Sequence, residues 1–181
     1  MTDATRFEAF VREFQDMVFA TAVRLLGSRV DAEDAAQTVF LKAFERFDEI
    51  GTSPTVAGWL KTVTTNVCLN HLSRYRSRWR FFSELDSPTD EGGTTSFEAR
   101  LASDDPHASN LEAADEHARL ERALGALPDH QRVPLVLFHF EQQSYQDIAT
   151  TLGVSLAKVK TDIFRGRDAL KGALRTDHGT R

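Results

Sequence analysis

Residues 144–174 read SYQDIATTLGVSLAKVKTDIFRGRDALKGAL, and the fold is decided there. Ser144, with an acid three positions on at Asp147, marks a helix start: the hydroxyl meets an orphan backbone N–H and the carboxylate reaches back. The short helix predicted from it runs to Leu152, after which Gly153 can take the positive φ of a tight turn and Ser155 can cap a second helix. Ala149 is small where the two helices must cross closely, Val159 packs the second on the first, and Ile148, Leu152 and Val154 fill between them. A short helix, a glycine turn and a longer helix in this order form a helix-turn-helix, although the same residues could build an ordinary helical hairpin.

The second helix divides by face at about 100° per residue. Leu156, Val159, Ile163, Gly166, Leu170 and Leu174 fall on one side, and Lys158, Lys160, Thr161, Phe164, Arg165 and Asp168 fall opposite. Lys158, Lys160 and Arg165 can neutralise phosphates, while Thr161 or Lys160 can reach base edges from the N-terminal half. Phe164 admits two readings, apolar contact with a thymine methyl or sugar, or packing beneath a neighbouring helix. Asp162 and Asp168 oppose phosphate binding unless they are paired, with Arg165 or Arg167 as candidates.

Upstream, apolar positions from Phe7 through Phe10, Val11, Phe14, Met17, Val18, Ala22, Leu25 and Leu26 recur at three- and four-residue steps, which predicts an amphipathic helix stopped by Gly27. Asp31 can cap a second helix whose buried side is Ala35, Ala36, Val39, Phe40, Ala43, Phe44 and Phe47. Ser53 and Pro54 signal a third start, and Asn66 and Asn70 weaken helix propensity enough for a bend near His71 before 72–82 resumes. From about Ser83 to Ser109 the chain turns to Ser, Thr, Asp, Gly and Pro, a flexible acidic linker. Helical spacing returns at Leu111, and Pro134 must sit in the first turn of the following helix or kink it. No strand alternation or internal repeat is evident, so the chain is predicted to be all-α: two small helical domains, 1–82 and 111–181, joined by the linker 83–110.

Composition bounds the function. The chain has 181 residues, 41% hydrophobic and 27% charged, the balance of a soluble globular protein. No run of about 18 apolar residues is present, and the first residues lack the basic-then-apolar pattern of a leader, so a cytoplasmic protein without membrane insertion is expected. One cysteine, Cys68, excludes an internal disulfide and a cysteine-rich zinc site, and the six histidines are not spaced as ligands, so no metal or cofactor is expected. Clustered Asp31, Glu33 and Asp34 read as ordinary helix-start charges and Cys68 as a small buried residue, so no catalytic residue is assigned.

The net charge of −5 argues against a polyanion partner until it is resolved along the chain. Residues 1–50 carry 6 basic and 10 acidic groups, 51–80 carry 5 and none, 81–120 carry 2 and 10, and 121–181 carry 9 and 7. Within the acid-free stretch, residues 59–82 read WLKTVTTNVCLNHLSRYRSRWRFF, interleaving Arg74, Arg76, Arg78 and Arg80 with Trp59, Tyr75, Trp79, Phe81 and Phe82. Guanidinium groups bind phosphate and aromatic faces stack on unpaired bases, a mixture suited to melted DNA. Trp59 beside Leu60 and Val63 reads instead as core.

Taken in order, DAEDAAQTVF with FLKAF, WLKTVTTN before the arginine cluster, LPDHQR, and SYQDIATTLGVSLAKVK with IFRGR resemble a bacterial RNA polymerase sigma factor of the extracytoplasmic-function (ECF) group. The resemblance covers residues 10–80 and 120–174. It implies a region 2-like bundle and a region 4-like helix-turn-helix, and a non-catalytic subunit that takes core RNA polymerase to promoters and helps melt the minus-ten element. It further implies that Asp34, Gln37, Thr38 and Phe40 dock on the β′ clamp, with Thr38 departing from the usual acid, and that the second domain meets the β flap. Asn66 matches the asparagine of a specificity loop that captures a flipped base, with Lys61, Asn70, Arg74, Tyr75, Arg76 and Arg78 around the minus-ten DNA. Lys158, Lys160, Thr161, Phe164 and Arg165 match positions facing the minus-thirty-five element, and Asp162 replaces a residue that is commonly basic. An anti-sigma factor is the usual regulator of the group. The alternative is a free-standing helix-turn-helix regulator with a helical sensor or dimerisation domain, which leaves the aromatic–arginine segment and the DAEDAAQ helix without a role.

Overall fold

The computed structural model describes residues 3–73 and 110–176, and every regular element in them is a helix. They form two compact units. The first contains α1 (Asp3–Leu26), α2 (Arg29–Glu45), the one-turn α3 (Phe47–Ile50) and α4 (Val56–His71). Gly27 ends α1 at φ 64°, its N–H returning to the Val23 carbonyl at 2.8 Å, a left-handed stop that glycine adopts without strain. The cap of α2 is Ser28, whose Oγ accepts the Asp31 N–H at 3.3 Å, so Asp31 lies in the first turn instead of capping it. Ser53 likewise lies outside α4. Its Oγ accepts the Thr55 N–H at 3.3 Å, and the helix begins at Val56.

Phe10, Val18, Val39, Ala43, Phe47, Ile50 and Leu60 form one buried cluster in this unit. Phe7 meets the Phe47 ring edge-on at 5.1 Å, and Trp59 packs against the cluster half-buried, with the Arg46 guanidinium 5.9 Å over its ring. Cys68 is fully buried. Phe44 departs from its expected place on the buried side: it is 58% exposed. α4 runs unbroken through Asn66 and Asn70, where buried Thr64, Thr65, Cys68 and Leu69 hold the helix although local propensity is weak, and it ends at His71, with Leu72 in a turn and Ser73 helical again, the interruption expected near His71.

The second unit contains α5 (Asn110–Ala126), α6 (Asp129–His139), α7 (Tyr145–Leu152) and α8 (Leu156–Thr176). Residues 132–137 of α6 are all buried, and Pro134 sits in the helix interior, beyond the first turn. The buried Arg132 is satisfied locally, donating to the Leu127 carbonyl at 2.8 Å and pairing with Asp129. Ser144 caps α7 as its motif requires, accepting the Asp147 N–H at 3.1 Å and donating to the Asp147 carboxylate at 2.7 Å. Gly153 takes φ 66° and ψ 38°, and Ser155 Oγ accepts the Lys158 N–H at 3.2 Å to open α8. Val159, Ile163, Gly166 and Leu170 form the inner face of α8. A β-carbon on Gly166 would stand 3.3 Å from the Gln131 carbonyl oxygen, so α6 and α8 approach backbone to backbone there.

Gly153→Ala is expected to lower stability by about 1–2 kcal/mol, the penalty for a left-handed non-glycine residue. Chemical denaturation followed at the helical circular dichroism band checks it.

Candidate nucleic-acid interface

The outer face of α8 presents Ala157, Lys160, Phe164 and Asp168, all exposed, with Thr161 and Arg165 half-buried at its edge. Phe164 is 52% exposed, which removes the reading that places it beneath a neighbouring helix. Thr161 Oγ1 donates to the Ala157 carbonyl at 3.0 Å, which fixes its rotamer while leaving its oxygen able to accept. Arg167 turns the other way, donating to His139 Nε2 at 3.0 Å with its guanidinium 5.5 Å over the Phe138 ring.

Lys158 does not stand on this outer face. It is 8% exposed and its Nζ lies 3.1 and 3.0 Å from the two oxygens of Asp162, itself 4% exposed. Lys158 therefore leaves the phosphate-facing set. One ion partner of Asp162 is a lysine one turn before it on α8.

On α4, Asn66 and Asn70 are exposed one turn apart and share a face. Lys61, also exposed, lies about 140° around the helix from Asn66, so the structure does not bring it to that face. Asn66 stands on a helix and not in a loop. Arg74, Tyr75, Arg76 and Arg78 lie outside the described residues, as do Trp79 and the linker. His71 Nε2 approaches Asp31 Oδ1 at 3.6 Å, tying the end of α4 to the start of α2.

On α2, Asp34, Gln37 and Thr38 are exposed and Phe40 is half-buried. The sequence reading misses their apolar companions: Val30, Leu41 and Phe44 are 69%, 66% and 58% exposed. A groove of about 720 Å³ runs between α1 and α2, lined by Phe7, Phe19, Gln37, Phe40, Leu41 and Phe44 among others. The available signal is the helical wheel, on which Leu41 lies opposite Val39 and Ala43. An exposed apolar stripe beside polar groups marks a protein-binding surface. Among the described residues no helix is long and apolar enough to cross a membrane.

The family models for sigma-70 region 2 and sigma-70 region 4 match residues 10–79 and 117–170, one in each unit. The ECF RNA polymerase sigma factor SigE of Mycolicibacterium smegmatis is 34% identical over 169 residues, which cover 93% of this chain and 61% of that protein. The ECF RNA polymerase sigma factor SigW of Bacillus subtilis is 25% identical over 173 residues, 96% of this chain and 91% of that one. Among solved structures, the sigma factor RpoE of Bartonella quintana, in complex with the anti-sigma factor NepR, aligns with TM-score 0.50 and 19% identity over 94% of this chain and 98% of that chain, a likeness of fold. With described residues that are helical throughout, a helix-turn-helix in one unit, an exposed apolar stripe in the other and both sigma-70 regions in sequence order, the chain belongs to the ECF sigma factors, the promoter-specificity subunits of RNA polymerase.

Proposed function

We propose that the two units divide the work of promoter recognition. The stripe on α2, Asp34, Gln37, Thr38 and Phe40 joined by Leu41 and Phe44, docks on core RNA polymerase at its β′ clamp. The Asn66–Asn70 face of α4 meets the minus-ten element, and the arginine–aromatic segment that follows in sequence supplies phosphate contact and stacking. Lys160, Thr161, Phe164 and Arg165 on α8 meet the minus-thirty-five element in the major groove, with the second unit carried by the β flap. No chemistry is assigned to the chain itself, and its place is the cytoplasm.

The observation that carries this reading is Phe164. A large aromatic side chain held half in water on a recognition helix, one residue before Arg165 and four after Lys160, gains little from the fold and much from a thymine methyl or a sugar. The charge distribution supports the same division, because an acidic chain with local basic stripes binds DNA weakly until a larger partner presents it. The RpoE–NepR complex supports an anti-sigma factor as regulator.

The test is reconstitution with core polymerase and sequencing of the DNA that the holoenzyme retains. Asn66→Ala is expected to change the preferred base at one minus-ten position, since a flipped base read by amide hydrogen bonds loses about 1–3 kcal/mol of discrimination with them. Unchanged preference refutes the role of Asn66. Tight binding of a duplex operator by the chain alone, with no promoter retained by the holoenzyme, would point instead to a free-standing regulator.

A further inference from the structure

We propose that Asp162 is a positioning residue that withholds the Lys158 charge from DNA, lowering the affinity of α8 for phosphate in general and so raising its selectivity for the promoter. This rests on α8 meeting the minus-thirty-five element.

Lysine has a four-carbon stem and ordinarily extends its ammonium to water. Lys158 instead runs along its own helix, 8% exposed, and holds both carboxylate oxygens of Asp162 at 3.1 and 3.0 Å. The arrangement is poorly suited to stabilising α8. A cation in the first turn opposes the helix dipole, and lysine preceding an acid by four residues is the weaker order of such pairs. Apolar side chains of similar volume hold a buried position as well as an ion pair or better. What the pair does achieve is electrical. Ser155 pins the Lys158 backbone at 3.2 Å beside the residues that face DNA, and an unpaired ammonium there would bind phosphate whatever the base sequence. An unpaired Asp162, next to Thr161 and two residues from Phe164, would repel it. Together the two carry no net charge, and discrimination is left to Lys160, Thr161, Phe164 and Arg165.

Charge withholding predicts opposite signs for the two single substitutions, which a structural role does not. The measurement is equilibrium binding of reconstituted holoenzyme to a promoter fragment and to one with a scrambled minus-thirty-five element, across a series of salt concentrations. Asp162→Asn is expected to tighten binding to both fragments, steepen the salt slope by about 0.9, the release of one counterion, and narrow the ratio between them. Lys158→Met is expected to weaken both, roughly tenfold at low salt, where the charge of an Asp162 that has lost its lysine is least screened. The double variant K158M/D162L is expected to keep the wild-type slope and ratio, and it keeps the proposal testable if either single variant fails to fold. A double variant whose slope falls by about 0.9 makes Lys158 a phosphate ligand and overturns the proposal. Equal weakening by both single variants makes the pair structural and overturns it too. If the unsubstituted holoenzyme does not distinguish the two fragments, the assignment of α8 to the minus-thirty-five element fails first, and that arm needs no variant.

Discussion

The double substitution Leu41→Glu with Phe44→Glu is expected to reduce the affinity for core RNA polymerase by at least about 100-fold, equivalent to about 2.7 kcal/mol. Both side chains are more than half exposed, and they lie on the same helix as Asp34 and Gln37. Interfaces concentrate their energy in a few large apolar side chains that become fully desolvated on docking. A carboxylate in their place must be buried without a partner or must hold the surfaces apart. The fold gives up little by comparison. Leu41 can be replaced as an ordinary surface residue, and Phe44 loses an edge-on contact with Phe7 at 4.9 Å. Such a contact contributes about 0.5–1.5 kcal/mol. Fluorescence anisotropy titration of labelled protein with core enzyme measures the first effect, and thermal melting of the free protein measures the second. Affinity at the level of the unsubstituted protein would remove α2 from the docking surface.

Leu60→Ala should act in the opposite sense, with a large effect on the fold. Leu60 has no exposed surface and lies in the cluster with Phe10, Val39 and Phe47 where α1, α2 and α4 meet. Truncating a buried leucine removes its transfer energy and leaves a cavity, together about 2–5 kcal/mol. Small domains have about 5–15 kcal/mol in total, and a unit of this size sits towards the lower end. Urea unfolding of the full chain should show the midpoint of the first unit shifted to markedly lower urea with its slope retained. Leu41→Ala, on an exposed site of the same unit, should change stability by no more than about 0.5 kcal/mol. If the two leucine substitutions have equal effects, the packing described for Leu60 is wrong.

Local backbone demands were legible in the sequence. Gly27, Ser144, Gly153 and Ser155 each answer a requirement set within four residues, and each stands where its motif places it. Most of the inner face of α8 follows from periodicity: Val159, Ile163, Gly166 and Leu170 are buried, whereas Leu156, at the first turn, is 37% exposed and Leu174, near the last, is half-buried. Demands set by neighbouring helices were not legible. Phe44 is only one turn from Phe40 on the wheel, and nothing local shows that α1 leaves its outer side uncovered. Ser28 and Asp31 are both competent caps, and the choice between them is made by where α1 releases the chain. Lys158 and Asp162 sit about 40° apart at the margin of the buried face, where a wheel cannot separate inside from outside. The helix continues past Asn66 because of packing on its far side, which outweighs a propensity of a few tenths of a kcal/mol per residue.

The division of α8 into two faces also bears on how such a protein can change over generations. Lys160, Phe164 and Asp168 point outward, while Val159, Ile163, Gly166 and Leu170 carry the packing, with Gly166 fixing the distance to α6. Substitutions at outward positions alter stability by about 0.5 kcal/mol or less, well inside what a marginally stable unit tolerates. A duplicated copy of the gene could therefore acquire a new promoter preference one residue at a time, with every intermediate folded and able to compete for polymerase.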